Sequence, residues 1–161
     1  MIPRKYFHVL IALRRIRDRK IDIHYVTGNH DFWMGEFWKD QIGVHVHSEP
    51  LEIELNGKRF YIAHGDGLAK KDVGYRFLKR ILRHPVNIQL FRLIHPDVGF
   101  ALARFSSRMS RNHRVLKDRD EEYIEFARHQ FKTGYDHVIL GHTHRPCRYE
   151  EDRHVYLNTG D

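Results

Sequence analysis

The spacing of apolar and polar positions changes period several times along the chain, and each change marks an element. Residues 3–20 place Phe7, Leu10, Leu13 and Ile16 at three-residue steps among arginines, which predicts an amphipathic helix. Residues 21–27 (IDIHYVT) alternate and are β-rich, so they read as a strand that runs into Gly28-Asn29-His30-Asp31. The aromatic segment 32–41 reads as a short helix. Residues 51–55 and 58–63 alternate on either side of Asn56-Gly57. That dipeptide is a strong hairpin signal, because a type I′ turn needs positive φ at both positions.

The second hairpin strand ends at His64. From residue 73 to 131 the period becomes helical, with breaks at Pro85 and Pro96. Residues 136–140 (DHVIL) form another predicted strand, ending at Gly141-His142, and residues 148–149 and 154–157 read as a closing hairpin. Three of the four clearest strands thus end in a motif of glycine and histidine. In α/β folds, ligands gather where loops leave the carboxyl ends of strands. Three such ends can therefore meet although 34 to 78 residues separate the motifs.

Composition fits one domain. The chain has 161 residues, is 41% hydrophobic and is long enough to bury a core. No apolar stretch approaches the roughly 18 residues of a spanning helix, and the arginine-rich start does not read as a signal peptide. The single cysteine, Cys147, cannot form an internal disulfide and favours a reducing compartment. Charge changes the picture more. Thirteen Lys and Arg against four acids lie between Leu68 and Asp120, so this stretch holds more than the whole net charge of +7. Such a field suits an anionic partner, whether phosphate, nucleic acid or lipid surface.

The motifs Gly28-Asn29-His30-Asp31, His64-Gly65-Asp66 and Gly141-His142-Thr143-His144 carry the chemistry. Imidazole, carboxylate and amide oxygen suit Mn²⁺, Fe, Zn²⁺ or Mg²⁺, and no cysteine cluster supports a thiolate zinc site. His142 and His144, leaving a strand in extended form, would face one side and reach two adjacent metals. Asn29 offers an amide oxygen, and His30 suits stabilising charge on a phosphoryl oxygen. Asp31 and Asp66 are natural partners for fixing an imidazole tautomer.

In this order the three motifs resemble the later motif series of the calcineurin-like metallophosphoesterases, whose fold is a β-sandwich flanked by helices. The chain is most similar to the group that hydrolyses UDP-2,3-diacylglucosamine in lipid A biosynthesis, on the strength of Gly28-Asn29-His30-Asp31-Phe32, His64-Gly65-Asp66-Gly67-Leu68 with Asp72-Val73-Gly74-Tyr75, and Gly141-His142-Thr143-His144-Arg145-Pro146. The resemblance implies an α/β (α+β) sandwich with a basic helical insertion over about residues 73–117. It implies Asn29, His64 and His142 on one metal and His144 on the other, with His30 and Asp31 as catalytic residues. Asp72, Tyr75, Ser110, Arg114 and Lys117 would then bind substrate. It further implies two Mn²⁺ in the complete protein, UMP and 2,3-diacylglucosamine 1-phosphate as products, and a cytoplasmic protein peripheral to an anionic inner membrane, with no specific nucleic acid as partner.

Two opening motifs of that series, Asp-x-His and Gly-Asp-x-x-(Asp/Glu), do not occur before Gly28. They supply the bridging aspartate, so the expectation is a partial domain with an incomplete sheet, holding one metal or none and of uncertain activity. Asp22 and His24 copy Asp-x-His by letter but read as strand residues. Phe77, Leu78, Ile81, Leu90, Phe91, Leu93, Phe100, Leu102 and Phe105 could line acyl chains, although helical spacing favours core. Two other functions stay open: a nuclease or nucleotide phosphodiesterase with the same motifs, and a basic nucleic-acid-binding remnant.

Overall fold

The computed structural model describes residues 7–29, 31, 35–68, 81, 84–94, 98–99, 101 and 119–160. In chain order the elements are α1 (Phe7–Asp18), β1 (His24–Val26), a π-helical turn (Trp38–Ile42), β2 (His45–His47), β3 (Leu51–Leu55), β4 (Lys58–Ala63), α2 (Pro85–Arg92), α3 (Arg119–Lys132), β5 (His137–Leu140), β6 (Cys147–Glu151) and β7 (His154–Asn158). The strands form a mixed five-stranded sheet of order β3-β4-β5-β7-β6 and a parallel β1-β2 pair. This mixed α/β arrangement agrees with the fold class expected from sequence.

The hairpin forms as predicted. Leu55 pairs with Lys58, and Asn56 and Gly57 carry φ of 53° and 70° between them. The closing hairpin also forms, with Cys147 opposite Asn158 and Glu151 opposite His154. Between the two hairpins, β4, β5 and β7 run parallel as neighbours. Val138 and Leu140 on β5 and Tyr156 on β7 point to one face. Tyr123, Ala127 and Phe131, four residues apart on α3, cover that face and close the core. Val138 and Leu140, fully buried, contribute about 1.5–3 kcal/mol each.

Several expectations are corrected. The strand in residues 21–27 pairs only over His24–Val26, extended by His45 N–H to Ile23 O and Thr27 N–H to His47 O. Its partner β2 was not foreseen. Within 32–41 the described residues form one π-helical turn, ended by Gly43 at φ 81°. No residue of α1 is buried; Phe7 and Ile16 are exposed. Its ties run instead through arginines, with Arg14 Nη1 donating to Gln41 O and Arg17 Nη1 to Ile21 O. Ile81, Leu90 and Leu93, expected as core, are all exposed, Leu93 at 83%. The other six apolar residues named with them lie outside the residues whose side chains are described.

Candidate metal centre

Three strand ends meet at one point, and parallel pairing explains two of them. Ala63 pairs with Leu140, so the residues that follow, His64 and Gly141, leave adjacent strands side by side. Gly141 N–H donates to His64 O at 3.0 Å, extending the ladder one step past the strands. The third end comes from β1. Gly28 lies against the His64 ring, where a Cβ would stand 2.9 Å from Cε1 and 3.0 Å from Nδ1. The absence of a side chain at Gly28 is what admits the imidazole.

Three donor atoms converge as a result. His64 Nε2 lies 3.0 Å from Asn29 Oδ1 and 3.2 Å from His142 Nδ1. The His64 and His142 rings meet edge to face, with centroids 5.1 Å apart and planes at 78°. Donors about 2.1 Å from a cation and at right angles around it stand about 3 Å from each other. The observed separations thus fit His64 Nε2 to a position beside Asn29 Oδ1 and beside His142 Nδ1 on one divalent ion. Among the described residues, no three His, Cys, Asp or Glu side chains form a group able to hold a metal. The junction has two imidazoles and takes its third donor from an amide.

The segment after β5 departs from the expected extended form. His142 and His144 have φ of 70° and 57°, and residues 142–145 are a run of bends. Thr143 N–H donates back to Gly141 O at 2.8 Å. This closes a γ-turn centred on His142, a form that is rare and strained when φ is positive. The turn swings His142 onto His64 and leaves His144 exposed. The two histidines therefore do not share a side by strand alternation.

Asp31 also finds different partners from those expected. Its Oδ2 accepts from Gly28 N–H and from Tyr25 Oη–H, both at 3.0 Å, and its own N–H donates to Gly28 O at 3.2 Å. A short carboxylate next to a turn bonds its own backbone readily, so Asp31 clamps the loop that carries Asn29. Burial, reinforced by the Asp31 charge, pushes the Tyr25 hydroxyl up to about 12. Asp66 lines a cleft of about 160 Å³ together with His64, Val26, Glu49, Tyr61 and Ala63. The cleft runs between β1 and β4, and so between the two sheets.

His30 and the five substrate-binding candidates Asp72, Tyr75, Ser110, Arg114 and Lys117 lie outside the described residues. Asp22 and His24 have other partners, as expected of strand residues. Asp22 pairs with Arg17, and His24 Nδ1 lies 2.9 Å from His47 Nε2. Two residues that support the centre were not singled out from sequence. Tyr123 Oη–H donates to Gly65 O at 2.9 Å from within the core. Asn158, 4% exposed, donates from Nδ2 to Gly141 O at 2.8 Å. A signal for Asn158 existed: it takes the inward beat of β7, where the alternation calls for an apolar residue.

Comparison with known proteins follows the same motifs. The profile of the family described as calcineurin-like phosphoesterase matches residues 4–146. The chain is 32% identical over 139 residues to the UDP-2,3-diacylglucosamine hydrolase of Pseudomonas putida strain F1, covering 84% of this chain and 58% of that protein. It is 33% identical over 139 residues to the protein of that name from Pseudomonas savastanoi pv. phaseolicola, covering 56% of it. With that of Porphyromonas gingivalis strain W83 it shares 32% identity over 112 residues, 69% of this chain and 43% of the other. The chain thus spans little more than half the length of the relatives it matches.

Proposed function

The chain belongs to the calcineurin-like phosphoesterase family, and we propose that it is part of a metal-dependent hydrolase that splits the pyrophosphate of UDP-2,3-diacylglucosamine. The observation that carries this reading is the meeting of Asn29 Oδ1 and His142 Nδ1 at His64 Nε2, 3.0 and 3.2 Å from it. Those three residues would hold a divalent ion, for which we propose Mn²⁺. His144 serves a second ion in the complete protein. Such an ion supplies Lewis-acid polarisation of a phosphoryl oxygen.

The protein's own groups do the rest. Asp31 holds the Asn29 loop closed through Gly28 N–H and Tyr25 Oη–H. His30, between Asn29 and Asp31, offsets charge on the phosphate. Asp72, Tyr75, Ser110, Arg114 and Lys117 take the headgroup in this reading. The substrate carries two acyl chains, and the exposed Ile81, Val86, Leu90, Leu93, Ile94 and Val98 supply apolar surface in the same basic stretch. That combination also suits the anionic cytoplasmic face of a membrane, which is where we place the protein.

Release of UMP from UDP-2,3-diacylglucosamine with Mn²⁺ tests the substrate. Hydrolysis of bis-p-nitrophenyl phosphate without UMP release would point to a nuclease or phosphodiesterase instead. DNA binding with steep salt dependence and no bound metal would remove the catalytic reading.

A further inference from the structure

Asn158 is a polar residue on an apolar face. It stands opposite Leu140 in the β5-β7 register and two residues along from Tyr156, both core residues under α3. Its amide is fully engaged. Oδ1 accepts from Gly160 N–H at 3.2 Å, which fixes the orientation of the group. Nδ2 then donates to Gly141 O at 2.8 Å and to Tyr156 Oη at 3.2 Å.

The Gly141 carbonyl is the pivot of the His142 turn. One of its lone pairs takes Thr143 N–H at 2.8 Å, which closes the turn, and the other takes Asn158 Nδ2–H. The turn holds His142 at φ 70°, a conformation that a residue with a Cβ seldom adopts unaided. Next to it, Thr159 N–H donates to Leu140 O at 2.9 Å, so the end of β7 grips β5 on both sides of Leu140 and Gly141.

We propose that Asn158 is a positioning residue for His142. By holding the Gly141 carbonyl it stabilises the strained turn that brings His142 Nδ1 to His64 Nε2. Its bearing on metal affinity rests on the metal-centre reading given above; its hold on the turn does not.

The test compares Asn158→Asp, which keeps an acceptor for Gly160 but loses the Nδ2–H donor, with Tyr156→Phe, which removes only the other acceptor. Amide hydrogen exchange and calorimetric titration with Mn²⁺ are read on both variants and on the unaltered protein. In Asn158→Asp, exchange at Thr143 is expected to rise about tenfold relative to Val155, whose N–H bonds Asp136 O in the same β7. Mn²⁺ affinity is expected to fall about tenfold. Tyr156→Phe is expected to leave both within about twofold, even if its melting temperature drops. An equal rise in exchange at Thr143 and Val155 would reduce Asn158 to general stability and overturn the proposal. Absence of a scalar coupling across the bond from Asn158 Nδ2 to the Gly141 carbonyl carbon, read on the unaltered protein, would overturn it even if the variants do not fold. If the unaltered protein binds no Mn²⁺, the metal-centre reading fails, and the exchange result still decides the role of Asn158 in the turn.

Discussion

The His64 imidazole lies so close to Gly28 that a Cβ there would stand 2.9 Å from its Cε1. The φ of Gly28 is outside the left-handed region, so the position demands space and not an unusual backbone. Gly28→Ala must therefore push His64 away from Asn29 without breaking the fold. Calorimetry is expected to show Mn²⁺ affinity reduced about tenfold or more, with circular dichroism unchanged.

Tyr123 ties the backbone after His64 to the core through its bond to Gly65 O. Removing the hydroxyl leaves a buried carbonyl unpaired, which costs about 1–3 kcal/mol. Urea unfolding of Tyr123→Phe should show that loss as a lower midpoint with an unchanged slope.

The β1-β2 pair carries a pH dependence. Burial, then the neighbouring His24 and His45, hold His47 below its ordinary value of 6.5. The unfolded chain therefore binds more protons than the folded one as pH falls through about 6.5, and stability declines there, levelling off below the folded value. Around His47 stand His24 and His45, with Asp22 3.6 Å from His45 and paired with Arg17. Melting temperature followed from pH 8 to pH 5 is expected to fall less in His47→Gln than in the unaltered protein.

Gly57 holds φ 70° with open space where a Cβ would go. Gly57→Val should thus cost backbone strain alone, about 1–2 kcal/mol. Chemical denaturation measures the loss, and Mn²⁺ affinity should not change.

What could be read from sequence follows the reach of each interaction. The hairpin around Asn56-Gly57 was legible because both positive φ values are set by the residues that adopt them. Helix α3 was legible within the helical period of residues 73–131, but its core face of Tyr123, Ala127 and Phe131 was not singled out, because what it covers is set by β5 and β7. β2 was not, because His45-Val46-His47 offers one apolar residue and its pairing with β1 is set from elsewhere in the chain. At the centre, residue type pointed to Asn29, His64 and His142. Nothing in Gly141-His142-Thr143-His144 announces a turn at a non-glycine residue; the support for it comes from Asn158 on another strand. The bonds from Asp31 Oδ2 to Gly28 N–H and Tyr25 Oη–H were not legible for a related reason: one partner is a backbone group and the other lies on β1.

The parallel adjacency of β4 and β5 sets His64 beside Gly141 at one strand spacing, about 4.8 Å, and His142 follows one residue on. The turn at His142 and the Asn158 bond to Gly141 O complete the approach of the two imidazoles, and the 78-residue separation in sequence does not set it. Whatever leaves β4 need only come back to β5. Of the segment between, α3 is bound to this arrangement, through Tyr123 to Gly65 O and through the core it closes over β5 and β7, whereas chain length before Arg119 does not enter the strand adjacency. In the proposed reading, substrate choice can thus diverge before α3 while the groups proposed to hold metal stay as they are.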